Sequence, residues 1–301
     1  MPGETEESPF HLRGHIGPQH VGAWKAMKWH DDTLRSVFQD LDRDPPEYIL
    51  VRAPALSGKT TFAMQFLDRA ASERPEILAV YLPLGATTAS LQAFLPRVHV
   101  SFVRRVGELL DVMASTRISD QSLELSSLLT SFVELQFGDL DELLRGLLMR
   151  LPASFRRAVL VLDDCDCVPL MARMQIAEAL RTIHAGRSTG PLRKFTILLL
   201  ARSLLSGPQA VSPLTNVVKS HHLADFTPDD LRAFLKRCED IMGVCFTSEA
   251  VEYLYRKAGG HAVLLQRLLR DATRDSRPSA AIGLEDVLRS VCECYEEGGG
   301  W

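Results

Sequence analysis

The stretch from Tyr48 to Thr61 constrains the fold of this chain more than any other. It reads YILVRAPALSGKTT, an apolar run followed by a turn and the start of an amphipathic helix. Ala53, Gly58, Lys59 and Thr60 fill the fixed positions of the pattern Gly/Ala-x-x-x-x-Gly-Lys-Thr/Ser, which is that of a phosphate-binding loop. Such a loop needs a buried strand before it and a helix after it, and the sequence predicts both.

Each fixed residue of the loop has a chemical task. Gly58 lets the backbone turn closely around phosphates, while the amide groups at the helix start favour an anion. Lys59 supplies positive charge to the β and γ oxygens, and the Thr60 hydroxyl completes the coordination of Mg2+. We therefore expect ATP or ADP with Mg2+ at this loop. The predicted nucleotide-binding residues are Ala53, Pro54, Ala55, Leu56, Ser57, Gly58, Lys59, Thr60 and Thr61.

A pair of acids follows a second apolar run, from Ala158 to Leu162. A buried parallel strand presents carboxylates in this way at its carboxyl end. The pattern is that of a Walker B element, in which Asp163 binds magnesium, directly or through water, and Asp164 orients the attacking water. The alternative is that the pair caps a helix. We expect the pair on the strand that adjoins the phosphate-loop strand, and we expect Asp166 to be only a local cap or turn.

A third apolar run, from Phe195 to Ala201, ends at Arg202. This arginine is a candidate sensor of the γ-phosphate, and a surface arginine at a strand end is an equally good interpretation. The run from Val217 to Leu223 predicts a last strand. Its adjacent histidines, His221 and His222, place one ring on each face and indicate an edge position.

Composition limits the class of protein. With 301 residues, the chain has the length of about two domains. Its net charge of −4 gives no basic field that would attract nucleic acid. The apolar runs are shorter than the roughly 20 residues of a membrane span, and the first residues lack a signal-peptide core, so we expect a cytoplasmic protein. The six cysteines include two Cys-x-Cys pairs, which lack zinc-ribbon spacing, so we predict buried free thiols.

The predicted fold is α/β: an ASCE-type P-loop NTPase with a parallel sheet flanked by helices, followed by a small all-helical lid domain. Gly259 ends one lid helix, and Gly260 and His261 either approach the nucleotide or simply start the next helix. Residues 112–137 give no clear pattern. The lid helices are predicted at 228–240, 247–258, 262–274 and 284–296. The predicted domains are an N-terminal arm (1–28), the ATPase core (29–224), the lid or winged-helix-like domain (225–297) and a tail (298–301).

Five stretches together resemble the AAA-like ATPase modules of the STAND class, over roughly residues 30 to 275. The resemblance implies a nucleotide-operated switch that binds ATP, hydrolyses it slowly and works with an effector or sensor. A protein partner and homo-oligomers are therefore expected. Ala262 stands where such relatives commonly have proline. The stretches are Ala53–Thr61, Val159–Asp164, Leu198–Arg202, Ser212–Thr227 and Ala258–His261.

The function predicted from the sequence is thus an ATP-binding, slowly hydrolysing switch that regulates a partner or its own assembly. Its catalytic residues would be Lys59, Asp164 and Arg202, and its metal ligands Thr60 and Asp163. A DNA-associated AAA+ loader is one alternative, although the charge makes nucleic acid an unfavoured partner. A pseudo-ATPase scaffold, which binds nucleotide without hydrolysing it, is the other.

Overall fold

The computed structural model describes residues 30–54, 57–115, 119–188, 190–202, 212–274 and 280–296, without the side chains of residues 112–115, 119–124, 237–238, 241–242, 262–263 and 293–296. The predicted N-terminal arm, the loop residues Ala55 and Leu56 and the predicted tail lie outside the described residues.

The chain divides into two compact units. The first, here called the sheet unit, comprises Thr33–Pro54 and Phe66–His222. The second, here called the lid unit, comprises Met1–Asp32, Ala55–Gln65 and Leu223–Trp301. The phosphate loop therefore starts in the sheet unit and ends in the lid unit.

The sheet unit is built on five parallel strands in the order β2-β3-β4-β1-β5. The strand before the phosphate loop is present as predicted, and the three later strands end within one residue of the predicted runs. The expectation that the acid pair adjoins the phosphate-loop strand was wrong, because β4 lies between β1 and β3. Crossover connections decide strand order, and no local pattern encodes it. The strands are β1 (Tyr48–Arg52), β2 (Ile77–Pro83), β3 (Arg157–Asp163), β4 (Phe195–Ala201) and β5 (Val218–His222).

Six helices lie wholly or partly in the sheet unit. The apolar stripe of α5 is buried, and the Asp139 side chain caps that helix by accepting a hydrogen bond from the Glu142 amide at 2.8 Å. Helix α4 lies within residues 112–137, for which no element could be predicted. The helices are α1 (Asp31–Leu41), α2 (Lys59–Glu73), α3 (Leu91–Ser115), α4 (Ser119–Val133), α5 (Leu140–Arg150) and α6 (Leu170–Ala185).

Strand β5 is an edge strand, as its histidines indicated. The buried carboxylate of Asp40, in α1, accepts hydrogen bonds from Lys219 Nζ at 2.6 Å and from His221 Nε2 at 2.8 Å. A buried carboxylate requires such partners, since its desolvation is costly. His221 thus ties the edge strand to α1.

The segment after α6 is rich in polar residues, yet it contains the buried Arg187. Two short 3-10 turns, Gly186–Ser188 and Pro191–Lys194, occupy this segment. The Arg187 guanidinium is buried, lies 4.5 Å from the ring centroid of Tyr48, and donates to the carbonyl oxygens of Pro46 and Phe195. It satisfies carbonyl groups beside the amino ends of β1 and β4, and such long-range partners leave no local signal.

The described part of the lid unit includes the four helices predicted from the sequence. Thr227 caps α7 in a capping box with Asp230, and Pro228 takes the first helical position, where its missing amide donor costs nothing. Two short parallel strands were missed, because two residues are too few for an alternation to appear. The elements are α7 (Pro228–Met242), β6 (Cys245–Phe246), α8 (Ser248–Ala258), α9 (Ala262–Thr273), β7 (Ala281–Ile282) and α10 (Leu284–Glu296).

The cysteine prediction is correct only in part. Among the cysteines whose side chains are described, Cys165 is buried, whereas Cys167, Cys245 and Cys292 are exposed. All four are free thiols. Within the described ranges, no three His, Cys, Asp or Glu side chains form a cluster suited to a metal ion. Of the helices described, none combines the length and apolarity needed to cross a membrane.

We expect His30 to make the lid unit sensitive to acid. Its ring is 1% exposed, Nδ1 donates to Gln65 Oε1 at 2.8 Å, and its edge meets the Phe62 ring. Burial lowers the pKa of His30 to about 4, against the hydrogen bond of Gln65 and the charges of Asp230 and Asp31. The folded state thus binds the proton less tightly than the unfolded state, so stability is complete above about pH 6.5 and falls as the pH drops towards 4.

The loss by pH 4 should be on the order of 3 kcal/mol in the free energy of unfolding. Denaturant unfolding of wild type and His30→Leu at pH 7 and pH 4.5 measures it, with the exposed His222→Gln as the matched control. The His30 variant should lose less stability on acidification than the other two proteins. Equal losses in all three would contradict the assignment.

Candidate phosphate-binding site

The carboxyl ends of three strands place the predicted site residues of the sheet unit at one edge. Arg52 of β1 lies opposite Ala201 of β4, and Leu199 of β4 lies opposite Leu162 of β3. The Ala53 amide donates to the Ala201 carbonyl oxygen at 3.4 Å. The start of the phosphate loop, the arginine after β4 and the acid pair after β3 therefore share the carboxyl edge of the sheet, where open α/β sheets bind ligands.

The described part of the phosphate loop has the predicted local structure. Gly58 has a φ of +87°, in the left-handed region that glycine enters without steric cost. Helix α2 begins at the next residue, Lys59, and the Phe62 amide closes its first turn by donating to the Gly58 carbonyl oxygen at 2.9 Å. The first-turn amides of a helix point out of its amino end, which carries partial positive charge.

The side chains of the loop differ in burial. Ala53 and Ser57 are both buried, each with 5% exposure. Lys59, Thr60 and Thr61 are half-buried, and Pro54 is exposed. The residues with the predicted chemistry, Lys59 and Thr60, thus keep part of their surface accessible.

Asp163 is the buried member of the acid pair, at 1% exposure. Its Oδ1 accepts from the Asp164 amide at 2.8 Å, and its Oδ2 accepts from the Tyr81 hydroxyl at 3.0 Å. Burial, together with the charge of Asp163, raises the pKa of Tyr81, so the hydroxyl keeps its proton and donates. The sequence analysis missed Tyr81, although it is a polar side chain two residues before the end of an otherwise apolar strand.

Asp164 is exposed and has φ +54° and ψ 29°. Among the described residues, it is the one non-glycine with a positive φ. Its carbonyl oxygen accepts from the Cys167 amide at 3.0 Å and opens a 3-10 turn, but its side chain does not cap that turn. The capping alternative for this residue is therefore not supported. Strained residues of this kind concentrate at functional sites.

Asp166 does more than form a local turn. Its two carboxylate oxygens accept from the backbone amide of Arg202 at 3.2 and 2.9 Å, and Oδ2 lies 3.4 Å from the Arg202 Nε. Asp166 thus ties the turn after β3 to the end of β4. The Arg202 side chain is 59% exposed. Because the guanidinium side of this ion pair is exposed to solvent, the pair contributes little free energy, so an anionic ligand can compete for the guanidinium.

Gly260 and His261 both have structural functions in the lid unit. The Gly260 carbonyl oxygen accepts from the Phe226 amide at 3.0 Å. A Cβ on Gly260, whose φ is +80°, would lie 2.4 Å from the Phe226 carbonyl oxygen. The Nδ1 of His261 accepts from the Leu264 amide at 3.4 Å and caps α9. The helix start is thus present, which is the simpler of the two interpretations left open by the sequence. A contact of Gly260 and His261 with nucleotide stays a prediction.

Comparisons with known proteins reveal similarity in structure and not in sequence. No protein-family model matches the chain, and no curated protein sequence does. A Walker-type ATPase of Pyrococcus abyssi has a TM-score of 0.60 at 13% identity, over 96% of this chain and 76% of that one. The Aeropyrum pernix Orc1 protein, solved in complex with DNA, has a TM-score of 0.53 at 16% identity, over 92% and 68%.

Cdc6p from Pyrobaculum aerophilum has a TM-score of 0.52 at 15% identity, over 95% of this chain and 69% of that one. Each alignment spans more than nine tenths of the present chain, so it includes both the strands and the lid helices. Identities this low show the fold alone. The chain has the fold of an AAA-like P-loop ATPase module, a parallel sheet flanked by helices and followed by a helical lid.

Proposed function

We propose that the chain binds ATP with magnesium at the phosphate loop and acts as a slowly hydrolysing switch that regulates a partner or its own assembly. The main support is the carboxyl edge of the sheet, at which the loop begins beside the end of β4, with the acid pair one strand further along.

The residues of the loop fit a triphosphate. Gly58 turns with a positive φ directly before α2, so the backbone can approach phosphate oxygens closely. In the proposal, the first-turn amides and Lys59 hold the β- and γ-phosphates. Lys59 acts as a point charge, since its ammonium group has three donors and no acceptor.

The donor set also fits magnesium. Thr60 and Asp163 offer a hydroxyl and a carboxylate, the hard oxygen donors that Mg2+ prefers when it keeps its remaining waters and phosphate oxygens. Bound magnesium would neutralise charge that develops on the phosphate oxygens. Asp163 is held in one orientation by two hydrogen bonds, and its burial limits competition from bulk water.

Asp164 is the residue proposed to orient the attacking water. It is exposed and directly follows the buried Asp163 at the strand end. Arg202, at the end of the neighbouring strand, is proposed to add positive charge near the γ-phosphate after leaving Asp166. Because the Arg202 guanidinium is exposed, its ion pair with Asp166 is weak, so little free energy is lost when Arg202 leaves Asp166 for a phosphate.

Asp164→Asn should abolish most phosphate release and leave ATP affinity unchanged. Asparagine tolerates the left-handed backbone as aspartate does, so the variant removes the charge without straining the turn. A general base contributes on the order of 100-fold or more to rate. Phosphate release and equilibrium ATP binding are measured for wild type, for Asp164→Asn and for Asp229→Asn, a control on the solvent-exposed start of α7.

The result separates the proposed switch from a pseudo-ATPase scaffold. Slow release by wild type and the Asp229 variant, with a lower rate for the Asp164 variant, supports hydrolysis. Binding without release in all three proteins would identify a scaffold instead. Unchanged release in the Asp164 variant would show that another group orients the water.

A switch also needs two states that bind the nucleotide differently. The proposal therefore includes a protein partner or a second copy of the chain, which would bind one of the two states more tightly than the other. The proposal predicts that the oligomeric state of the chain, or its affinity for a partner, differs between the ATP-bound and the ADP-bound protein.

A DNA-associated ATPase is the second candidate. It is supported by the fold shared with the Orc1 protein that was solved on DNA. The net charge of −4 is unfavourable for it, because non-specific DNA binding depends on neutralising phosphates. DNA binding by the purified chain that weakens steeply with added salt would favour this candidate over the signalling switch.

A further inference from the structure

We infer that Tyr81 is a positioning residue that holds the carboxylate of Asp163 in the orientation in which it meets magnesium. The inference rests on the proposed function and extends it to strand β2, where the sequence patterns place no site residue.

The register of the sheet explains how Tyr81 reaches the acid. Strands β2 and β3 are parallel neighbours, with Tyr81 opposite Val161 and Pro83 opposite Asp163. Side chains two residues apart on a strand point to the same face. Tyr81 and Asp163 are therefore diagonal neighbours on one face of the sheet, within reach of a long aromatic side chain.

The two hydrogen bonds to Asp163 come from different strands. The Asp164 amide, in the same strand end, donates to Oδ1, and the Tyr81 hydroxyl donates to Oδ2. The first bond fixes one carboxylate oxygen, and the second fixes the other. Together they restrict rotation about the Cβ–Cγ bond, and Tyr81 contributes the bond from the neighbouring strand.

Strand β2 is a suitable anchor for this hydroxyl. Its carboxyl end is tied down beyond Tyr81, since the Leu84 amide donates to the Asp163 carbonyl oxygen at 2.9 Å. The guanidinium of Arg97, in α3, donates to the carbonyl oxygens of Pro83 and Leu84. The Tyr81 backbone thus lies in a strand that is hydrogen-bonded along its length and at its carboxyl end. The position of the Tyr81 hydroxyl is therefore well defined.

Hydrogen-bond partners of metal-binding carboxylates affect metal affinity, and their loss commonly costs about 10- to 100-fold. A purely structural hydroxyl would instead contribute only to folding, by about 1 kcal/mol. Stability alone therefore cannot distinguish the two functions of Tyr81. Metal affinity, measured at a constant nucleotide concentration, distinguishes them.

Tyr81→Phe is the test variant, and Tyr48→Phe is its matched control. Tyr48 is also a strand tyrosine of the same sheet, and its buried hydroxyl donates to the Leu180 carbonyl oxygen at 3.2 Å. Each substitution removes one hydroxyl and one hydrogen bond. Mn2+ replaces Mg2+ as the probe, and its binding to the full chain with saturating ATP is followed by electron paramagnetic resonance. Nucleotide affinity in excess EDTA and the melting temperature complete the set.

We expect Tyr81→Phe to weaken Mn2+ binding about tenfold or more, while its nucleotide affinity in EDTA equals that of wild type. Tyr48→Phe should bind Mn2+ as wild type does, and both variants should melt slightly below wild type. If Tyr81→Phe binds Mn2+ like Tyr48→Phe, the inference is wrong and the proposed function stands. If wild type binds no nucleotide, both fail.

Discussion

Lys59→Ala is expected to weaken ATP binding by about 100-fold or more, which corresponds to roughly 3 kcal/mol, without changing the fold. The ammonium group of Lys59 is the only full positive charge in the loop pattern, directly at the start of α2. The helix dipole and the loop amides offer partial charges, which alone cannot offset the desolvation of a triphosphate. Equilibrium binding of a fluorescent ATP analogue measures the effect, and circular dichroism checks the fold.

Lys236→Ala is the matched control, because Lys236 is an exposed lysine of α7 outside the loop. It changes the net charge of the chain by the same amount. ATP affinity should therefore remain that of wild type in this variant. Equal affinity in the Lys59 and Lys236 variants would show that the loop does not hold the phosphates.

Gly260→Ala should destabilise the lid unit by roughly 2 to 5 kcal/mol. Two costs add: an alanine at φ +80° enters the left-handed region, and its Cβ would lie 2.4 Å from the Phe226 carbonyl oxygen. Backbone cannot move away as a flexible side chain would, and the Phe226 amide is itself bonded to Gly260. Urea unfolding, monitored by circular dichroism and by limited proteolysis, measures the loss of stability.

Gly259→Ala separates the two costs. Gly259 also has a positive φ, +57°, but nothing lies within 4 Å of a Cβ placed there. The free energy of unfolding of this variant should fall only by the conformational cost, about 1 to 2 kcal/mol. If Gly260→Ala is no less stable than Gly259→Ala, the close approach to Phe226 is not important. Loss of ATP affinity in a stable Gly260 variant would instead favour contact with nucleotide.

Local patterns predicted the features that depend on neighbouring residues. The strand before the phosphate loop, the turn at Gly58 and the helix from Lys59 follow from a short apolar run, a glycine and an amphipathic repeat. The placement of Asp163 at a strand end follows in the same way, because an apolar run ends there. The capping of α7 by Thr227 was predictable for the same reason, since every participant lies within four residues.

Features that depend on distant residues were not predictable. Strand order placed β4 beside β1, contrary to expectation, because hydrogen-bond partners between strands are chosen by crossovers. The contact of Tyr81 with Asp163 joins residues 82 positions apart, and that of Asp166 with Arg202 joins residues 36 apart. The burial of Arg187, in a polar stretch of the sequence, has no local signal because its partners, Tyr48 and Pro46, are remote in sequence.

Calorimetric titration of the full chain with ATP, in magnesium and again in EDTA, tests the central proposal most directly. We predict saturable binding of one nucleotide per chain, tighter with magnesium than without it, and no comparable heat from the Lys59→Ala protein. Absence of binding heat from the folded wild-type chain in magnesium, at several temperatures, would contradict the proposal.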